Sequence, residues 1–197
     1  AITPIQQYGY TQGKNATDSA MIIDAMDILY TGKVNGFCIV SSDSDFTRLA
    51  TRLREAGMQV FGIGERKTPN PFIVACDKFI YIEILKSRTE EESSDTADKT
   101  PAEKNTVDKI TPKALRFIAT TIDDVADDDG WAFLGDVGSL LQKKQPNFDS
   151  RNYGFQKLTP LINSIPHFEI ERREDSKGRK KLIYVKIKEK GNSKSKK

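Results

Sequence analysis

Residues 37–46, Phe-Cys-Ile-Val-Ser-Ser-Asp-Ser-Asp-Phe, constrain the fold more than any other stretch of this chain. Residues 37–41 form a short apolar run, the pattern of a strand buried on both faces. The run stops at Ser42, and two carboxylates follow one residue apart, Asp43 and Asp45. Phe46, Leu49, Ala50, Leu53 and Ala56 then recur at helical spacing and Gly57 supplies a stop, so a helix begins where the acids end. A strand that passes through acids into a helix fits an open parallel sheet, whose ligand sites lie beyond the carboxyl ends of the strands. Asp43 and Asp45 therefore stand where chemistry is usually found. A plainer reading makes one of them the cap of the following helix, a common use of Asp. It accounts for one acid better than for the pair.

The flanking sequence extends this unit. A strand is expected over residues 2–8, a loop over 9–15 and a helix over 18–30 that buries Ile22, Ala25 and Leu29. Asp18 lies on that same stripe one turn earlier, so it points toward the rim of the sheet, whereas Asp24 and Asp27 project to the other side. Strands are expected again over residues 59–63 and 78–85, with a polar loop over 64–71 and a helical turn over 71–76. Alternation of this kind implies a parallel, three-layer α/β domain of Rossmann-like type. Residues 87–107 then turn almost wholly polar, as a flexible linker does.

Beyond the linker the pattern changes. Helices are expected over residues 113–125, 134–142 and 152–164, with Thr111-Pro112 starting the first. Trp131 is expected to pack into the core beside Phe133 and Leu134. Strands over 168–172 and 181–188 surround Ser176-Lys177-Gly178 as a hairpin. Three helices and a β-hairpin are the order of a winged helix-turn-helix. The chain thus divides into a domain over 1–87, an acidic linker over 88–107, a second domain over 108–190 and a basic tail over 191–197.

With 197 residues there is room for two domains. Residues 109–190 carry sixteen Lys and Arg against twelve acids, and the last seven residues add three lysines, which permits a polyanionic partner. Cys38 and Cys76 fall in or beside apolar runs, so buried reduced thiols and a cytoplasmic location are expected. His167, the single histidine, has no ligand partner nearby in sequence, and no zinc spacing occurs. No run approaches the roughly 20 apolar residues of a membrane span, and no signal peptide is visible.

Two resemblances can be named on these residues. Gly13-Lys14-Asn15-Ala16-Thr17-Asp18-Ser19-Ala20-Met21, Ile23-Asp24 and Ser41-Ser42-Asp43-Ser44-Asp45-Phe46, with Ala56-Gly57-Met58-Gln59-Val60 and Cys76-Asp77-Lys78-Phe79, resemble the NYN domain. That is a PIN-like nuclease family with an acidic, divalent-metal site. Leu134-Gly135-Asp136-Val137-Gly138, residues 148–155, Lys157-Leu158 and the closing hairpin resemble the OST-HTH, or LOTUS, domain, which is associated with RNA binding. The NYN pattern opens with a further strand ending in Asp, ahead of the strand expected at residues 2–8. This sequence has no such segment, so either it is part of a longer chain or its metal site has one acid fewer.

The resemblance implies a metal-dependent ribonuclease. Asp18, Asp43 and Asp45 are the expected metal ligands, and Asp24 is a weaker catalytic candidate. Clustered carboxylates repel one another, and a divalent cation relieves that repulsion. Oxygen donors without His or Cys suit Mg²⁺ or Mn²⁺. Lys14 and Ser42 would approach substrate phosphate. In the second domain Lys143, Lys144, Arg151, Asn152 and Lys157 around the third helix, and Arg179 and Lys180 in the wing, are expected to contact RNA, single-stranded or structured. Tyr153 or Trp131 could stack on an unpaired base. No membrane and no nucleotide cofactor are expected as partners. Two rival readings remain: a non-catalytic RNA-binding adaptor with an incomplete acidic site, and a winged helix that docks a protein partner.

Overall fold

A computed structural model describes residues 2–7, 16–85, 108–174 and 181–188. The chain forms two compact units, divided between Ser93 and Ser94. The expected linker and basic tail lie outside the described residues, as do Lys14, Arg179 and Lys180.

The first unit runs α1 (Ala16–Tyr30), β1 (Gly36–Val40), a 3-10 turn (Ser44–Phe46), α2 (Thr47–Glu55), β2 (Gln59–Gly64), α3 (Asn70–Ala75) and β3 (Lys78–Tyr81). The strands form a parallel sheet in the order β1-β2-β3, with Ile39 opposite Gly62 and Gly62 opposite Phe79. The core gathers on one face. Ile39, Val60 and Phe79 from the strands meet Phe46, Leu49, Leu53 and Phe72 from the helical side, and Met21, Ile22, Ala25 and Leu29 of α1 pack on the same cluster. Gly62 is required here: a Cβ would lie 2.5 Å from the Phe79 ring and 2.8 Å from Cys76 Sγ. At the amino end of the sheet Asp77 accepts the Val60 N–H at 2.8 Å and pairs with Arg54 Nε, also at 2.8 Å, tying α2 to β2 and β3.

Three expectations change. Residues 2–7 form no strand. β3 ends at Tyr81 and residues 82–85 are helical, so the apolar run over 78–85 is split between two elements. β1 is not buried on both faces: Ile39 points to the core, whereas Cys38 is exposed and Val40 is 63% exposed. Phe61 of β2 shares that outer face. The second helical layer of a three-layer domain is thus absent among the described residues.

The second unit runs α4 (Pro112–Asp123), β4 (Trp131–Phe133), α5 (Leu134–Lys144), a 3-10 turn (Ser150–Tyr153), α6 (Leu158–Asn163), β5 (Phe168–Glu174) and β6 (Lys181–Ile187). Thr111 caps α4, its hydroxyl accepting the Ala114 N–H at 3.2 Å. The strands pair antiparallel in the order β4-β6-β5. Ile118, Ile122, Val137, Leu141, Leu161 and Ile162 pack from the helices onto Ala132, Phe168 and Val185 of the sheet.

The hairpin expected from sequence gains a third strand, β4, formed by Trp131–Phe133 immediately ahead of α5. The helix expected over 152–164 is broken. Gly154 takes the left-handed conformation at φ +83° and closes the 3-10 turn. Pro160, which lacks an N–H, is tolerated only in the first turn of the short α6.

Candidate functional site

The acids meet at the carboxyl edge of the parallel sheet. β1 delivers Ser41 to Asp45 into the connection to α2. Ser41 N–H continues the ladder to Ile63 C=O at 2.9 Å. Ser41 Oγ accepts the Asp43 N–H at 3.1 Å, and Asp43 Oδ1 accepts the Asp45 N–H at 2.9 Å. The cap and the site are therefore the same residue: Asp43 caps the 3-10 turn and belongs to the acidic cluster. Ser42 Oγ accepts the Glu65 N–H at 2.8 Å, lacing the β1 connection to the loop after β2.

Asp18, in the first turn of α1, completes the group. Asp18, Asp43 and Asp45 each offer a carboxylate oxygen, and these oxygens lie within 4.8 Å of one another. Asp18 is half-buried while the other two are exposed. Three oxygen donors at this separation, without nitrogen or sulfur, fit a hard divalent cation. Asp24, also on α1, is not part of this cluster.

In the second unit the residues expected around the third helix divide: Asn152 is buried, Arg151 and Tyr153 are half-buried, and Lys143, Lys144 and Lys157 are exposed. Arg151 is clamped by Asp149, with Nε to Oδ1 at 3.0 Å and Nη2 to Oδ2 at 2.7 Å, and this bonding raises its pKa and holds it charged. Asn152 is buried and donates its amide to the Asn147 carbonyl at 3.0 Å, so it is not a surface contact. Tyr153 packs against Phe148, their centroids 6.1 Å apart. Lys144 is bonded to Asp124. Lys143 and Lys157 are exposed.

Trp131 reverses its expectation. Ala132 is the residue of β4 that enters the core, so Trp131 and Phe133 face the other way, beside Tyr184 of β6. Arg173 of β5 lies over both rings, 5.0 Å from the centroid of Trp131 and 4.5 Å from that of Tyr184. Arg173 is one of the cations that a reading from charge gathers in the wing, whereas Tyr184 is not singled out by charge or helical period; its signal is the strand alternation Leu-Ile-Tyr-Val-Lys over residues 182–186.

Fold and site together define a parallel-sheet α/β domain with a carboxylate centre, joined in one chain to a small domain of helices and an antiparallel sheet. Comparison with protein families agrees: residues 1–83 match the NYN domain and residues 103–179 match the OST-HTH/LOTUS domain. The chain belongs to the proteins that carry an NYN domain followed by an OST-HTH/LOTUS domain. A nuclease-type domain ahead of an RNA-binding one makes its function RNA-related.

Similar solved structures include the NMR structure of an uncharacterized protein of Nitrosomonas europaea. It is 31% identical over 49% of this chain and 90% of that one, with a TM-score of 0.38. Another, of residues 175–257 of a Chromobacterium violaceum protein, is 27% identical over 41% of this chain and 86% of that one, with a TM-score of 0.33. No curated protein matches the chain. Among the described residues no helix is long and apolar enough to cross a membrane.

Proposed function

We propose that this chain is a cytoplasmic endoribonuclease dependent on Mg²⁺ or Mn²⁺, acting in RNA processing or turnover, whose OST-HTH domain holds the substrate. The observation that carries the reading is the convergence of the Asp18, Asp43 and Asp45 oxygens within 4.8 Å at the carboxyl edge of the sheet. These three residues would hold the metal, which when bound supplies Lewis-acid stabilisation of phosphate charge and a water of lowered pKa. The protein's own part is positioning. The Ser41 hydroxyl and the Asp45 N–H fix the Asp43 backbone and carboxylate. The Ser42 bond to Glu65 keeps the acid-bearing connection against the end of β2. Lys14 and Ser42 are proposed to meet the substrate phosphate, and Asp24 is retained only as a minor acidic group. In the second domain, exposed Lys143 and Lys157 supply charge toward RNA, with Arg179 and Lys180 proposed beside them.

The test is cleavage of an end-labelled single-stranded RNA by the full chain in Mn²⁺ or in EDTA, beside the Asp43→Asn variant. Cleavage should require the metal. The variant should lose more than about a hundredfold in rate, because changing groups that merely support metal ligands already costs 10–100-fold. Its RNA affinity, read by anisotropy, should be unchanged or slightly tighter, since a repulsive charge is removed. Undiminished cleavage by Asp43→Asn would sink the metal-site assignment. RNA binding without cleavage in Mn²⁺ would instead identify an RNA-binding adaptor.

A further inference from the structure

We infer that the second domain binds RNA on the outer face of its β4–β6–β5 sheet, where unpaired bases stack on Trp131 and Tyr184 and against Arg173. This rests on the reading of the OST-HTH domain as the part that holds RNA, and it gives that domain a surface and a substrate class.

The register builds the face. Ala132, Val185 and Ile170 align across the three strands and point to the core. On the opposite side, Phe133 is paired with Tyr184, their rings 5.8 Å apart, while Trp131 lies two residues away on β4 and Arg173 is paired with Leu182. Trp131, Phe133 and Tyr184 are half-buried and belong to no core cluster among the described residues. Large aromatic side chains on the outer face of a sheet, in a row and covered by a guanidinium, form a platform whose outer layer is that planar cation.

Arg173 is fixed in that arrangement. Its Nε and Nη2 both donate to Glu171 Oε2, at 3.1 and 3.0 Å, which sets the plane of the group over the rings. A planar cation held against two aromatic rings presents what a nucleobase stacks on, together with charge for the adjoining phosphate.

Around the third helix Lys143, Lys144 and Lys157 are exposed and offer charge, but Asn152 is buried and Tyr153 packs against Phe148, so that surface offers charge rather than a row of aromatic rings. On the sheet face Glu169 and Glu171 offset Arg173 and Lys186, so attraction there depends on stacking more than on charge. Stacking selects single strands, because a duplex keeps its base faces covered.

Trp131 is the only tryptophan of the chain, so its emission reports on this face alone. The experiment titrates the full chain, in EDTA to prevent cleavage, with a single-stranded RNA 10-mer and with a duplex of equal length. Tryptophan fluorescence and anisotropy of the labelled RNA are read together. The single strand should quench Trp131 along the same isotherm as the anisotropy, and the duplex should leave the emission unchanged. Tyr184→Leu should weaken single-strand binding about tenfold, within the range of one lost base–aromatic stack. Arg173→Gln, a surface change that spares the rings, should weaken it as well and stands in if Tyr184→Leu does not fold. RNA binding with silent Trp131 emission and wild-type affinity in both variants would overturn the assignment of the face while leaving an RNA-binding domain. Absence of any RNA binding would overturn both.

Discussion

Two cysteines from one short domain have opposite environments. Cys76 is 1% exposed, and its Sγ approaches the Phe72 carbonyl at 3.4 Å. Burial, with the neighbouring Asp77 charge adding to it, pushes its thiol up to about 12. Cys38 lies exposed on the outer face of β1. A thiol reagent at pH 8 should therefore modify one thiol of the folded chain quickly, at Cys38, and Cys76 only after denaturant is added. Two fast thiols would show that the core around Phe72 and Phe79 opens readily. The same shift sets a sign for stability. Because the folded state holds the Cys76 proton more tightly than the unfolded one, its contribution is complete below the ordinary thiol pKa. It is lost as pH rises from there toward about 12.

At the scale of elements, the sheet of the first domain leaves an apolar face outside. Val40 is 63% exposed and Phe61 38% exposed, and β1 is the edge strand among the described residues. An exposed edge beside exposed apolar side chains is an invitation to self-association. Val40→Lys should reduce the concentration-dependent mass seen by light scattering without lowering the melting temperature, because the side chain contributes little to the core. An unchanged mass would place any association elsewhere. Here the limits of sequence reading can be located. The strand, acids and helix over residues 37–57 were legible because the period changes abruptly from apolar run to helical spacing at Ser42. Which faces of β1 are covered was not, since an apolar run looks the same whether its outer side is buried or bare. Trp131-Ala132-Phe133 misleads for a related reason. Residue size points to the aromatics as core, yet period-two alternation sends small Ala132 inward and both rings outward. The acidic cluster was legible in Asp18, Asp43 and Asp45, since each is placed by a local element: a first helical turn or the end of a strand. The aromatic face was hidden because the hairpin of β5 and β6 completes it with β4, a strand more than thirty residues earlier in sequence.

At the scale of the whole molecule, the chain divides its proposed work between two units that fold around separate cores. Chemistry would belong to Asp18, Asp43 and Asp45, and substrate capture to the face around Trp131 and Tyr184. Such a division makes a kinetic prediction that neither unit makes alone. Contacts remote from the scissile phosphate stabilise bound substrate and transition state alike, so their loss raises KM and leaves kcat in place. Tyr184→Leu should accordingly raise KM for a single-stranded RNA about tenfold, in step with its lost stack, while kcat at saturating RNA stays at the wild-type value. Asp43→Asn should do the reverse, removing kcat while the Kd for RNA is kept. The pair combined should show additive free energies in Kd, because each residue belongs to a unit with its own core. Measuring Kd by anisotropy in EDTA, and KM with kcat in Mn²⁺, separates these terms in one set of proteins. A fall in kcat with Tyr184→Leu would mean that the sheet face orients the strand in the acidic site as well as capturing it, so that remote binding energy is realised in the transition state.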